Sequence, residues 1–433
     1  MLLLLVSDIN GDVLGYYRYC FGCDTARWTW NEERLALRFS GSSDRVSYGA
    51  DFRLRVFGIP DVNNLSDIQR RDKGGISPIY VQPREAFITL YDIPFKGLEV
   101  SIGRKVISWG KADGINPTSQ ISVYDYEDFF DIGAKLGTNG INIGYSLGNF
   151  WVEGVFSTFS PDAIPGGPYS SVFFSSFPDT INIVALNDTI NIPKNGLREP
   201  SEFALRFAGT IRGIDLSLIY FRGYDGIPYP KRVDIIPYNL IEKQVKINLI
   251  MEYPKYHMVG FNFASSPFNV GFWGEFALFI PDSFETEKRL LLPDPFGFDS
   301  VSLTFQPDKP FLKFVLGWDY TFPKGIYANF QYLRGFINER SSDSLRDYFI
   351  LRVEKTFFDG NLKVMPANML LEVGDWGDIR NNYALAWIPT FEYYPVDNLT
   401  VSFGTLLIWG KGDSPFARME KIDEAFFRIK YSF

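Results

Sequence analysis

The chain alternates. Across residues 45–57, Arg45, Ser47, Gly49, Asp51, Arg53 and Arg55 interleave with Val46, Tyr48, Ala50, Phe52, Leu54 and Val56. At 312–321, Leu312, Phe314, Leu316, Trp318 and Tyr320 interleave with Lys313, Val315, Gly317, Asp319 and Thr321. Successive side chains of a strand point to opposite faces, so a period of two predicts strands with one greasy face and one polar face. No stretch carries a sustained helical period with caps, and prolines gather between the alternating runs, where they interrupt no ladder.

About eighteen such runs (16–20) are predicted, near 12–20, 34–40, 45–57, 84–92, 98–107, 134–146, 150–159, 201–209, 213–222, 255–264, 269–279, 311–321, 326–336, 346–357, 362–374, 381–394, 399–409 and 424–433. Their links are short and long by turns. The short ones (40–44, 92–97, 147–149, 210–213, 265–269, 322–325, 359–361 and 395–398) carry the Gly, Asn, Asp and Pro that tight turns need. The long ones are 21–33, 58–83, 108–132, 160–200, 223–254, 280–310, 337–345, 374–380 and 410–423. Two further strand-like runs, 245–251 and 301–306, fall in long links and are expected as strand extensions or surface hairpins.

An even number of strands with short turns at one end and long loops at the other describes an antiparallel transmembrane β-barrel. Composition agrees. Aromatics make up 17% of the 433 residues, which girdles at two lipid–water boundaries would absorb. Mean hydropathy is −0.06, and no apolar run is long enough for a membrane helix. A closed barrel is the other structure that satisfies its backbone in lipid. A soluble sandwich or propeller is the competing all-β reading. The recurring pairing of a fully apolar face with an Arg, Lys, Asp, Glu and Gly face favours the barrel. The net charge of −8 argues against nucleic acid as a partner.

Residues 1–11 read as the remnant of a secretory signal or as a short apolar first strand, with 12–433 as one barrel domain. Cys20 and Cys23 lack the further ligands a zinc site needs and read as structural, for instance a loop disulfide. The one histidine, His257, has no catalytic setting, no G-x-S-x-G elbow occurs, and no glycine-rich phosphate loop opens a helix. No enzymatic activity, cofactor or metal is expected.

The third long link holds Asp113, Asp125, Glu127, Asp128 and Asp131 against one basic residue, Lys111. The run before it ends G-R-K-V-I-S-W-G (103–110), and D-G-I-N-P follows at 113–117. This G-R-x-x-x-x-W-G and D-G-x-N-P pair resembles a family of bacterial outer-membrane porins and channel proteins, many uncharacterised. The likeness concentrates in residues 103–132. The final E-A-F-F-R-I-K-Y-S-F is similar to the C-terminal recognition strand of outer-membrane proteins, with Phe427, Ile429, Tyr431 and Phe433 on one face. The resemblance implies passage of ions and small hydrophilic solutes, outer-membrane lipid and the barrel-assembly machinery as partners, a homotrimer, and the outer membrane of a Gram-negative-type envelope as location. It also implies that the loop after the fifth strand folds inward as a constriction. Asp113, Asp125, Glu127, Asp128 and Asp131 would then face a basic wall of Arg34, Arg38, Arg45, Arg53, Arg55 and Lys105.

Charges in a narrow aqueous pore set ion preference, and such charges are costly on a lipid face. The alternatives for this segment are an exposed acidic loop, or a calcium site built from Asp125, Glu127, Asp128 and Asp131. Arg104 breaks the pattern, since alternation sets it on the lipid face; a bulge or a place at the rim would resolve it. The aromatic loops at Trp376 and Trp409 suit interface anchoring or sugar stacking. Two other functions remain open: a substrate-specific exporter or surface-polysaccharide assembly barrel, and a soluble carbohydrate-active protein.

Overall fold

The computed structural model describes residues 8–58, 78–174, 182–193, 202–239, 241–291, 298–306 and 309–433. Of the expected signal remnant, 1–7 lie outside the described residues, while 8–11 already belong to the first strand.

Eighteen antiparallel strands close into one barrel. They are β1 (Asp8–Cys20), β2 (Arg27–Ser43), β3 (Val46–Phe57), β4 (Ile79–Tyr91), β5 (Leu98–Lys105), β6 (Thr138–Leu147), β7 (Phe150–Ser157), β8 (Glu202–Ile211) and β9 (Ile214–Tyr224). There follow β10 (Lys255–Ser265), β11 (Val270–Pro281), β12 (Phe311–Phe322), β13 (Ile326–Arg334), β14 (Asp347–Phe357), β15 (Leu362–Val373), β16, β17 (Leu399–Lys411) and β18 (Glu424–Ser432). β16 runs in two pieces, Tyr383–Trp387 and Thr390–Val396, both laddered to β15 and β17. Pro389 lies in the gap and has no N–H to donate. Each strand pairs with its sequence neighbour, and β1 pairs with β18 from Asp12↔Ser432 to Cys20↔Glu424. No α-helix occurs among the described residues.

Alternation becomes inside and outside. On β1, Val13 and Tyr19 are exposed outward, while Leu14, Tyr16, Arg18 and Cys20 are buried inward. On β18, Phe427, Ile429, Tyr431 and Phe433 are exposed and Phe426 is buried. Phe52, Leu54, Ile88, Ile102, Ile141, Leu205, Leu218, Val259, Leu312 and Phe403 extend the outward apolar surface around the wall. A band of this kind has lipid as its natural solvent. At the short-turn end, Arg212 and Gly213 both take positive φ (53° and 80°), as the two central residues of a type I′ hairpin require.

The seam is finished by the last residue. Gly11 N donates to Phe433 O at 2.9 Å, Phe433 N donates to Gly11 O at 3.0 Å, and the Phe433 ring occupies the space a Cβ on Gly11 would need. Deleting Phe433 removes both bonds, each worth about 1 kcal/mol net, together with the ring that caps the outer row. The expected result is a smaller folded fraction on refolding into lipid, read as loss of the heat-modifiable gel band. An unchanged folded fraction would contradict this role for the residue.

Several details refine the sequence reading, among them the start of β4 at Ile79. β2 starts at Arg27, so the first long link is shorter than 21–33. Strands at Gln244–Glu252 and Phe298–Gln306 lie outside the barrel and form hairpins with the strand before each, as the sequence reading allowed, but these strands do not stand alone. They join Asn182–Asn191, Tyr229–Asn239 and Phe284–Leu291 in a separate five-stranded mixed sheet built from the long loops, with two parallel pairings. Arg104 shows no register shift in β5. It stands one residue before the strand's long-loop end, which matches the rim reading. Cys20 and Cys23 form a disulfide across the β1–β2 link.

Candidate functional site: an inward loop tied across the lumen

The link from β5 to β6, residues 106–137, folds into the barrel. One anchor is Glu275, which points inward from β11 and is fully buried. One of its carboxylate oxygens accepts from the backbone N–H groups of Lys111 and Ala112 (2.8 Å for Ala112). The other accepts from Thr118 N at 3.1 Å and Thr118 Oγ1 at 2.7 Å. Asn262 on β10 donates to Trp109 O and Thr118 Oγ1 at 2.9 and 3.1 Å. On β13, Asn329 donates to Asp113 Oδ2 at 2.8 Å and Gln331 accepts from Asp113 N at 3.3 Å. Within the loop, Val123–Tyr124 pairs with Lys135–Leu136, and Ser122 and Ser119 hydroxyls accept from Ile107 N and Trp109 N. Backbone groups in this non-regular stretch need such partners wherever they are shielded from water.

The other side of the loop reaches the far wall. Glu127 accepts from Arg55 Nη1 at 2.8 Å, and Arg55 Nε also bonds Glu32 at 2.8 Å. Asp128 lies 3.4 Å from Arg18 and 3.8 Å from Arg428. Arg18 is itself buried, 3.9 Å from the fully buried Glu424 and stacked over Trp30 and Phe130 at 4.3 and 4.8 Å. Burial pushes both loop carboxyls, Glu127 and Asp128, upward against the pull of Arg55 and of Arg18 with Arg428 respectively. The loop therefore spans the lumen from β1, β3 and β18 to β10, β11 and β13.

The residues expected to form two facing charged sides divide as follows. Glu127 lies 2.8 Å from Arg55. Asp125 forms a bridge with Ala163, and its buried Oδ1 has no hydrogen-bond partner. Asp113 lies instead against the polar, uncharged Asn329 and Gln331 of the opposite wall. Asp131 is exposed at the loop surface. Arg34 and Arg38 are inward and share Asp12 at 3.4 and 2.8 Å. Arg53 is inward and half-buried. Lys105 pairs with Glu99 and Ser101 on its own strand rather than with the loop. Arg45 is not on the wall, because it sits exposed in the β2–β3 turn. The acidic residues 125, 127, 128 and 131 turn to different partners, so they do not converge as a calcium cage. Among the described residues, no three Asp, Glu, His or Cys side chains are grouped to hold a metal. His257 bonds Tyr220 at 2.8 Å on the outward side of adjacent strands, as a wall residue.

Above the loop, the long-loop end of the lumen is filled. Tyr124, Tyr126 and Phe129 of the inward loop pack with Tyr169, Val172 and Phe173, with Ile227, with Phe336, and with Phe416, Met419 and Ile422. Five loops thus share one apolar cluster with wall residues such as Leu333, Tyr348, Leu406 and Ile408. A cavity of about 60 Å³ beside it is lined by Tyr124, Tyr126, Asp162, Asp225, Tyr256 and Arg340, among others. Arg340 grips the Asp225 carboxylate with two nitrogens, tying the β13–β14 loop to the β9–β10 loop.

Asp162 joins the β7–β8 link to the inward loop, accepting from Tyr124 N at 2.8 Å. Burial lifts its carboxyl from 3.8 to about 7. A folded value above the unfolded one means that the folded state holds the extra proton. This contribution to loop stability is complete below about pH 4, falls as pH rises to about 7, and is level above that. Asp162→Asn keeps the acceptor and removes the titration. Amide exchange at Tyr124, corrected for intrinsic rate, should accelerate between pH 5 and pH 8 in the native chain and stay flat in the variant. Equal slopes would contradict the assignment.

No family model matches the chain, and no curated protein matches it. Solved structures do. An OmpF of Salmonella typhi in complex with daunomycin aligns over 98% of this chain and 97% of its own, at 9% identity and a TM-score of 0.42. A mutant of the porin of Rh. blastica aligns over 98% and 99% respectively, at 11% identity and a TM-score of 0.42. At these values the likeness carries no weight for function, which has to be argued from the chain's own geometry.

Proposed function

We propose that the chain is an outer-membrane channel for ions and small hydrophilic solutes, with the 106–137 loop as its constriction. The observation that carries this reading is the inward loop tied to opposite walls of a closed barrel, through Glu275 on one side and Arg55 and Arg18 on the other. Around it the lumen is lined by charge: Asp12, Glu32, Arg34, Arg38, Asp51, Arg53 and Arg55 on one arc, Glu153 and Arg206 on another. Charged side chains lining a water-filled path select solutes by sign and size and need no chemistry to do so. The apolar outer band supports a setting in lipid, and the C-terminal Phe433 row is the element the assembly machinery would read. A homotrimer in the outer membrane of a Gram-negative-type envelope completes the proposal. Ion current across a planar bilayer tests it.

A second reading has its own observation. The five-loop apolar cluster at the long-loop end occupies the space an open pore would need. This favours a channel that conducts only when those loops part, as a substrate-specific exporter or a partner-opened barrel would. Sparse openings that become frequent when the cluster is weakened, for instance by Phe416→Ser, would select this reading over free diffusion.

A further inference from the structure

One arc of the lumen wall holds more cations than it needs. Arg34 on β2, Arg53 and Arg55 on β3 and Arg84 on β4 stand on neighbouring strands, with Arg38 beyond Arg34 on the same face. The carboxylates that reach these five guanidiniums are four. Asp12 serves Arg34 and Arg38, Glu32 serves Arg34 and Arg55, Asp51 serves Arg38 and Arg84, and Glu127 serves Arg55. Arg53 is left over. Its buried Nε has no hydrogen-bond partner, and no carboxylate comes within ion-pair distance of it among the described residues. Its inward direction is set by Phe52 and Leu54, which flank it and are exposed outward.

The neighbours press toward the same spot. Arg53 lies opposite Ala36, between Arg34 and Arg38 on β2, and opposite Gln82 on β4. Diagonal cross-strand neighbours of this kind are about 7–8 Å apart, within reach of long side chains. Arg84 and Arg34 repel Arg53, while Asp51 on its own strand and, after it, Asp125 of the inward loop attract it, neither within ion-pair distance. The two nearest ion pairs are loose, 3.4 Å for Arg34 with Asp12 and 3.6 Å for Arg84 with Asp51, while Arg84 is oriented by a hydrogen bond from Nη2 to Lys135 O of the inward loop. Like charges gathered without a full set of counter-charges are unfavourable unless an anion joins them.

We propose that Arg34, Arg53 and Arg84 form an oxyanion subsite beside the constriction, taking a phosphate- or carboxylate-bearing solute with Arg53 as its principal donor. This deepens the channel reading by naming the solute class. The planar guanidinium fork matches two oxygens of such a group, and a site open to the lumen lets the solute leave as readily as it enters. With Asp51 already shared by Arg38 and Arg84, Asp125 is the competitor that the inward loop brings to Arg53. Its carboxylate would keep the site weak, as a permeation site has to be.

The test is equilibrium dialysis of radiolabelled inorganic phosphate against detergent-folded full-length barrel at low salt. It reads the subsite whether or not the barrel conducts, so failure of the site and failure of the channel reading are told apart. Saturable binding is expected. Arg53→Gln should weaken it at least tenfold. Asp125→Asn should tighten it severalfold. Arg352→Gln, an arginine already paired with Glu354 at 2.6 Å, should leave it unchanged. Arg53 holds up no neighbour, so its variant is expected to fold, and the heat-modifiable band confirms that it has. Absence of saturable binding in the native chain, or equal binding in Arg53→Gln, would overturn the proposal.

Discussion

Glu275→Ala is expected to free the inward loop and raise the conductance of the barrel. Four hydrogen bonds to one buried carboxylate are lost at once, from Lys111 N, Ala112 N, Thr118 N and Thr118 Oγ1. Bonds to a charged acceptor are individually worth about 1.5–3 kcal/mol, and the donors left behind lose a partner in a shielded place. Water can enter the lumen and take up part of the loss. A local cost of about 3 kcal/mol remains a fair expectation, enough to raise the open population of the loop more than a hundredfold. The barrel's own ladder does not depend on Glu275, because its backbone pairing with Asn262 and Val315 stays intact. Hydrogen exchange at 111, 112 and 118 should therefore speed up while exchange in β10 and β11 stays slow. Equal protection of the loop in the variant would mean that the loop is held by something else. Glu275→Gln keeps the shape and one acceptor oxygen, and should fall between the two.

Arg18→Met is expected to be the most damaging single change on the other side of the lumen. Arg18 is the guanidinium nearest both Asp128 of the loop and Glu424 of β18, and both Glu424 oxygens otherwise lack a hydrogen-bond partner. Removing one member of a buried charge group leaves the others uncompensated, at a cost of about 3–5 kcal/mol. Its guanidinium also lies over Trp30 and Phe130, a contact worth about 1–2 kcal/mol when desolvated. The temperature at which the folded gel band converts to the unfolded one should drop. Arg18→Met combined with Glu424→Gln should recover much of the loss, since the orphaned charge is gone. A double variant no better than the single would show that packing of the Arg18 stem, rather than charge, is what matters.

The barrel was legible because its signal is repeated and redundant. Each strand writes its inside and outside into alternate positions, so all eighteen strands lie where the period of two puts them. The boundary errors have a local cause. Trp30 is buried inward and Trp28 exposed outward across a register shift at Arg18/Tyr19, so the strict period of two breaks there, and the structure still starts β2 at Arg27. The outer sheet was not legible as a sheet. Residues 245–251 carry the same period as a membrane strand and were set in a long link, but nothing local announces their parallel pairing with 182–191.

The site was half legible. That 108–132 turns inward rested on a resemblance, and Glu127 did find Arg55. Which carboxylate faces which wall depends on how the loop crosses the lumen, and nothing local in the sequence says that Asp113 goes to Asn329 instead of an arginine. Glu275 was missed for the same reason. It stands alone among Trp273, Gly274, Phe276 and Ala277 as a single inward carboxylate on an aromatic strand. That isolation is a usable signal. Its partner, the amide of Lys111, lies 164 positions away. The partners of Arg18 and the five-loop cluster were likewise invisible, since they are brought together from segments far apart in the sequence.

The central claim is that this barrel is a conducting path narrowed by a tied loop. It is tested most directly by current through single barrels, refolded from detergent into a planar bilayer under a salt gradient. The account predicts stepwise openings in the native chain and larger steps in Glu275→Ala, with a reversal potential showing which sign of charge prevails in the lumen. Silence from both, in preparations that show the heat-modifiable band of a folded barrel, would contradict it.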